Sequence, residues 1–132
     1  MPKEFINPPE ISTPTGYTHV VSARGAQMIY ISGQIAMDRQ GNLISPGDLR
    51  AQATQVFENL KAALAAAGAT FADVVKLNTY IVNYTPAHRG ILREVRSQYI
   101  SGDHPPASTL IGVQALAVEG LLIEIEAVAM TG

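Results

Sequence analysis

Cysteine is absent from the chain, which removes disulfides, thiolate nucleophiles and cysteine-based metal sites together. Tryptophan is absent too, and aromatic residues make up 6%, too few for the stacking platforms that hold single-stranded nucleic acids. Lysine and arginine number 9 against 11 aspartates and glutamates, for a net charge of −2, and no basic run gathers them. The electrostatic footprint of a nucleic-acid binder is missing, and no such partner is expected. No apolar run approaches the roughly 18 residues of a membrane span, and Met1-Pro2-Lys3-Glu4 lacks the apolar stretch of an export signal. No membrane partner is expected, and a cytoplasmic location is. Charge of either sign is scarce: 15% of residues, against about 25% in a typical domain. A chain so short of surface-suited side chains is expected to cover part of its surface with further copies of itself.

The 132 residues suit one domain, 1–132, large enough to bury a core without a staple. Residues 1–15 carry four of the eight prolines and read as an extended lead-in. His19 to Ala23 is β-prone, and Arg24-Gly25-Ala26 is a turn. Met28 to Ile35 alternates as a strand, with Ile29, Ile31 and Ile35 on one face and Met28, Tyr30, Ser32 and Gln34 on the other. A turn over Asp38 to Asn42 follows. Asp48 is placed to cap a helix whose apolar stripe is Leu49, Ala53, Val56, Phe57, Leu60, Leu64 and Ala67, with Gly68 at its end. Val74 to Val82 is a strand with Val75, Leu77, Thr79 and Ile81 on one face. Thr85-Pro86 starts a second helix carrying Ile91, Leu92, Val95 and Tyr99 and stopping by Gly102. Ala107 to Ala117 and Leu121 to Met130 are strands joined by a turn at Glu119-Gly120. The order β-β-α-β-α-β-β predicts an α+β domain, one sheet with two helices on one face.

Two segments stand out chemically. Glu124 and Glu126, two apart in an apolar strand, point the same way about 6–7 Å apart. They fit an edge strand facing water, or a desolvated carboxylate that moves a proton or orients water. Ser32-Gly33-Gln34 places a glycine inside a strand, which marks either a bulge or the close approach of a ligand or another backbone. His19, His88 and His104 lie far apart without ligand spacing, so no metal site is expected. No glycine-rich phosphate loop is present.

Four segments together resemble the reactive intermediate deaminase family, also known as Rid or YjgF and often labelled endoribonuclease L-PSP. Gly16-Tyr17 is similar to its Gly-Pro-Tyr, with Thr15 in a position where proline is usual. Ile31-Ser32-Gly33-Gln34 is similar to its Ser-Gly-Gln strand. Gly68 and then Asp73-Val74-Val75-Lys76 resemble its Ala-Gly and Asp-Val-Val-Lys stretch. Pro106-Ala107-Ser108 and Ile123-Glu124-Ile125-Glu126-Ala127-Val128-Ala129 resemble its closing motifs.

The resemblance implies a fold like trimeric chorismate mutase and a homotrimer whose sheets form an inner barrel. It also implies a small-molecule ligand in clefts between subunits. Active members hydrolyse enamines or imines to a 2-keto acid and ammonia, without cofactor or metal, an activity of the 2-iminobutanoate/2-iminopropanoate deaminase type. By this resemblance Glu124 handles water, and Tyr17, Ser32, Gly33, Gln34 and Ser108 contact substrate. The family pattern is broken at Ser108, where active members carry an arginine for the substrate carboxylate. It is broken again at Ile91-Leu92, where an asparagine is usual. A serine hydroxyl cannot make the paired charge-assisted bonds of a guanidinium. The expectation is therefore an imine or enamine hydrolase that does not favour ordinary amino-acid-derived imines, unless Arg24, Arg89, Arg93 or Arg96 compensates. The alternatives are a non-catalytic binding or regulatory trimer and, against the acidic balance, an endoribonuclease.

Overall fold

The computed structural model describes residues 3–132; Met1 and Pro2, the start of the expected lead-in, lie outside them. A two-stranded ribbon pairs β1 (Lys3–Ile6) antiparallel to β2 (Val20–Ala23), Lys3 opposite Ala23. The main sheet contains β3 (Gln27–Ile35), β4 (Val74–Val82), β5 (Ala107–Val113) and β6 (Ile123–Thr131), in the order β3-β6-β4-β5. The β4–β5 pair is parallel, and β6 runs antiparallel to β3 and β4. Two helices, α1 (Leu49–Ala66) and α2 (Pro86–Arg96), pack together, and α1 lies on β3 and β6. This is the expected α+β architecture of the chorismate-mutase-like class.

The alternation of β6 divides the sheet into two faces. Ile123, Ile125, Ala127 and Ala129 are buried beneath the helices with Leu77, Ile81, Val56, Phe57 and Leu60. Glu124, Glu126 and Val128 face the opposite way. α1 begins as the capping residue predicts: the Asp48 carboxylate accepts from the Ala51 N–H at 3.0 Å. Gly68, with φ +77°, ends the helix as a left-handed glycine. In α2, Pro86 fills the first turn, and the Thr85 N–H donates to His88 Nδ1 at 3.1 Å.

The structure departs from the sequence reading in five places. The lead-in contains a strand, β1, which gains its partner only through tertiary pairing. The strict alternation expected through Ile29, Ile31 and Ile35 is broken, although Ile35 still packs against the core. Ile31 pairs with Ala127 but Gln34 pairs with Ile125, so an extra residue enters β3 at Ser32-Gly33 and shifts the alternation. Ile35 therefore lies opposite Glu124. A similar irregularity at Val75 puts Val74, not Val75, in the core. β5 stops at Val113, short of Ala117, and Tyr99 lies beyond the end of α2.

Candidate functional site

Two groups of candidate side chains form, one around Ser108 on the helix-facing side of the sheet and one around Glu124 on the other. The first is built by the segment before β2. Thr18 is buried; its N–H donates to the Pro106 carbonyl at 3.2 Å and its hydroxyl to the Pro105 carbonyl at 2.6 Å. This clasp ties Tyr17 to the start of β5. Arg96 Nη2 donates to the Gly16 carbonyl at 2.9 Å. Gly16 has φ +78°, and a Cβ there would lie 2.8 Å from the Arg96 guanidinium. The positive φ is what favours glycine, since the guanidinium at the end of the long Arg96 side chain can shift.

Ser108 pairs with Leu77 and therefore shares its helix-facing side of the sheet. Between it and α2 is a cavity of about 290 Å³ bordered by Tyr17, Thr79, Ser108, Arg89, Arg93 and Arg96. Phe57, Leu92 and Leu110 supply an apolar wall. Arg89, Arg93 and Arg96 follow the i, i+4, i+7 spacing that aligns side chains on one helix face. Burial lowers the pKa of Arg96 from its ordinary value, and the charge of Arg93 lowers it further. The one ion pair among the described residues joins Arg50 to Glu94, so none of the three cavity arginines is matched to a carboxylate there.

The second group lies at the β3 bulge. A Cβ on Gly33 would fall 1.9 Å from Glu124 Oε2 and 2.8 Å from its Cγ. The glycine thus makes room for the whole end of that side chain. Gln34 Nε2 donates back to the Ser32 carbonyl at 3.0 Å. Glu126 is engaged differently: the Tyr80 hydroxyl donates to its Oε1 at 2.6 Å. That hydrogen bond is the main cause raising the Tyr80 pKa, with burial and the charges of Glu126 and Glu124 adding to it. Of the two glutamates, Glu124 is the one beside the bulge.

The residues singled out in the sequence thus fall into two sets. Tyr17 and Ser108 border one cavity, whereas Ser32, Gly33, Gln34 and Glu124 gather at the bulge. Within a single chain the sheet lies between Ser108 and Glu124. Three of the four arginines weighed as replacements reach the Ser108 cavity; Arg24 does not border it. Thr18, Thr79 and Tyr84 were not found from sequence. Thr18 and Thr79 are buried polar residues whose role depends on tertiary contacts. Among the described residues, no three His, Asp or Glu side chains converge as a metal site would require.

Residues 8–131 match the family described as Endoribonuclease L-PSP. A 2-iminobutanoate/2-iminopropanoate deaminase of Dermatophagoides farinae is 35% identical over 130 residues, covering 96% of this chain and 95% of that one. Protein DfrA of Myxococcus xanthus is 36% identical over 115 residues, covering 87% and 85%. Among solved structures, the Rid-family protein YyfB of Yersinia pestis superposes with a TM-score of 0.89 at 44% identity, covering 98% of this chain and 99% of that one.

Proposed function

The chain belongs to the endoribonuclease L-PSP, or Rid, family, and we propose that it is a deaminase-type hydrolase of small imines or enamines, working as a cytoplasmic homotrimer without cofactor or metal. The observation that carries this reading is the pairing of Glu124 with Gly33. The carboxylate occupies the space that the missing side chain leaves beside the strand bulge, which fixes its position as the reacting base. The deaminase-named relative supports the reaction class.

The chemistry is an exchange of C=N for C=O. Water adds to the imine carbon as Glu124 takes one of its protons, and the proton is returned to nitrogen. Glu124 then carries the hydroxyl proton of the resulting carbinolamine to its nitrogen, and the carbon–nitrogen bond breaks to release ammonia as the carbonyl forms. Tyr17, Ser108 and the backbone around Ser32, Gly33 and Gln34 hold the substrate. Because Ser108 and Glu124 lie on opposite faces of one sheet, a site that uses both draws them from neighbouring subunits.

Ser108 narrows the substrate range. A carboxylate at Ser108 without a guanidinium partner loses about 1.5–3 kcal/mol, or roughly ten- to over a hundredfold in binding, so imines of ordinary amino acids are poor substrates unless their carboxylate reaches Arg89, Arg93 or Arg96 across the cavity. Ammonia release from freshly generated imines tests the reading, with RNA as a parallel substrate. Glu124→Gln keeps the shape and removes the base, so it abolishes hydrolysis and leaves the assembly intact. Glu126→Gln matters less, because Glu126 is engaged with Tyr80. Hydrolysis that survives Glu124→Gln undiminished would overturn the assignment.

A further inference from the structure

From the arginine-lined cavity we infer that this chain binds a small dianion, a dicarboxylate or a phosphate monoester, through Arg89, Arg93 and Arg96 of α2. The inference rests on the proposed site, since Ser108 and Tyr17 border the same cavity, and it specifies the charge of the ligand that site receives.

Charge counting carries the argument. Three guanidinium groups border a cavity of about 290 Å³ together with the hydroxyl-bearing side chains of Tyr17, Thr79 and Ser108, and no acidic side chain borders it. The one acid on α2, Glu94, pairs with Arg50 of α1 outside this cavity and does not neutralise the three arginines. Arg93 and Arg96 also border an adjoining cavity of about 320 Å³ that reaches Ser97 and Ser101, so polar space continues past them. Arg96 is half-buried and tethered to Gly16. Arg89 and Arg93 are exposed at the cavity mouth, so an anion entering meets two solvated guanidinium groups and the partly desolvated Arg96, which gains most from a nearby negative charge. A monocarboxylate would balance one of three charges; a dianion balances two. The wall of Phe57, Leu92 and Leu110 accepts a short carbon skeleton. Guanidinium groups suit both candidate anions, because their paired N–H donors match carboxylate and phosphate oxygens.

Titration calorimetry on the full chain at low salt, with succinate, glycerol 3-phosphate and butyrate as probes, separates the possibilities. At least one dianion should bind about tenfold or more tightly than butyrate, and Arg93→Gln or Arg89→Gln should weaken it about tenfold or more. Arg93→Lys should recover part of the loss. Arg50→Gln, which removes the same charge away from the cavity, should leave binding unchanged. A response to succinate alone identifies a dicarboxylate, and a response to glycerol 3-phosphate alone identifies a phosphate ester. The inference is overturned if neither dianion binds, if butyrate binds as well as both, or if Arg50→Gln weakens binding as much as Arg93→Gln. Glu124→Gln keeps this failure distinct from failure of the hydrolase reading. Dianion binding without imine hydrolysis sinks the hydrolase and leaves the anion site standing; hydrolysis without dianion preference does the reverse.

Discussion

A methyl group at position 33 would collide with three atoms of the Glu124 side chain. Changing the last torsion alone cannot clear both Oε2 and Cγ, so Gly33→Ala must drive the carboxylate into another rotamer. The backbone at Gly33 is not in the left-handed region, and alanine meets no conformational penalty there. The expected result is hydrolysis reduced as far as in Glu124→Gln, with a melting temperature within a few degrees of the parent. Unaltered turnover would mean that Glu124 works from a different position. Gly16→Ala is the opposite case. Its φ of +78° resists a side chain, whereas the Arg96 guanidinium can move aside, so stability should fall by about 1–2 kcal/mol, read by denaturant unfolding. The sequence pointed to Gly33 because a glycine inside a strand needs a reason. It did not disclose the Arg96 contact at Gly16, because that partner is 80 residues away.

Elements whose boundaries are set by local chemistry were legible; those set by distant partners were not. Asp48 and Gly68 delimit α1 through their own hydrogen bonding and backbone geometry, and Thr85-Pro86 starts α2 in the same way. β1 and the β3 bulge depend on which strand lies alongside, and alternation read from sequence carries straight through a bulge it cannot detect. Tyr99, expected on α2, instead joins the elements beyond its end. Its ring stacks on Phe57 with centroids 5.1 Å apart and lies 5.6 Å from Phe71, while its hydroxyl donates to Glu58 Oε2 at 2.7 Å. Burial, with the hydrogen bond and charge of Glu58, pushes its pKa up from 10.0 to about 12. The unfolded chain gives up this proton near pH 10 and the folded chain near 12, so unfolding releases a proton between these values. Stability contributed by the protonated hydroxyl is complete below pH 10 and declines as pH rises toward 12. Tyr99→Phe has nothing to titrate, so its melting temperature should fall less steeply than that of the parent between pH 9.5 and about 11.5. Parallel curves for the two proteins would show that the hydroxyl is not protected.

At the scale of the whole molecule, the scarcity of charge and the exposed face of the sheet have the same explanation. Tyr30 is 72% exposed, Met28 52% and Ile111 43%; with Val128 and Met130, which pair with Tyr30 and Met28, they make an apolar surface on the face opposite the helices. Burying apolar area is worth about 25 cal/mol per Å², so this surface favours association with further copies, as the homotrimer reading requires. Light scattering at micromolar concentration should give a mass near three times 14.0 kDa, and Tyr30→Lys, which buries a charge at the contact, should shift it toward a single chain. A parent mass near 14.0 kDa would remove the trimer and the shared cleft with it. The two half-sites make the dissociated variant informative in its own right. Glu124 and the bulge need a neighbour to meet Tyr17 and Ser108, whereas the three arginines border a cavity formed within one chain. Tyr30→Lys should therefore lose hydrolysis while keeping its affinity for a dianion within about threefold. If both activities vanish together although the variant remains folded by circular dichroism, the anion site also needs a second subunit. If hydrolysis persists in a fully dissociated chain, the reaction is completed inside a single subunit and the cleft between subunits plays no part in it.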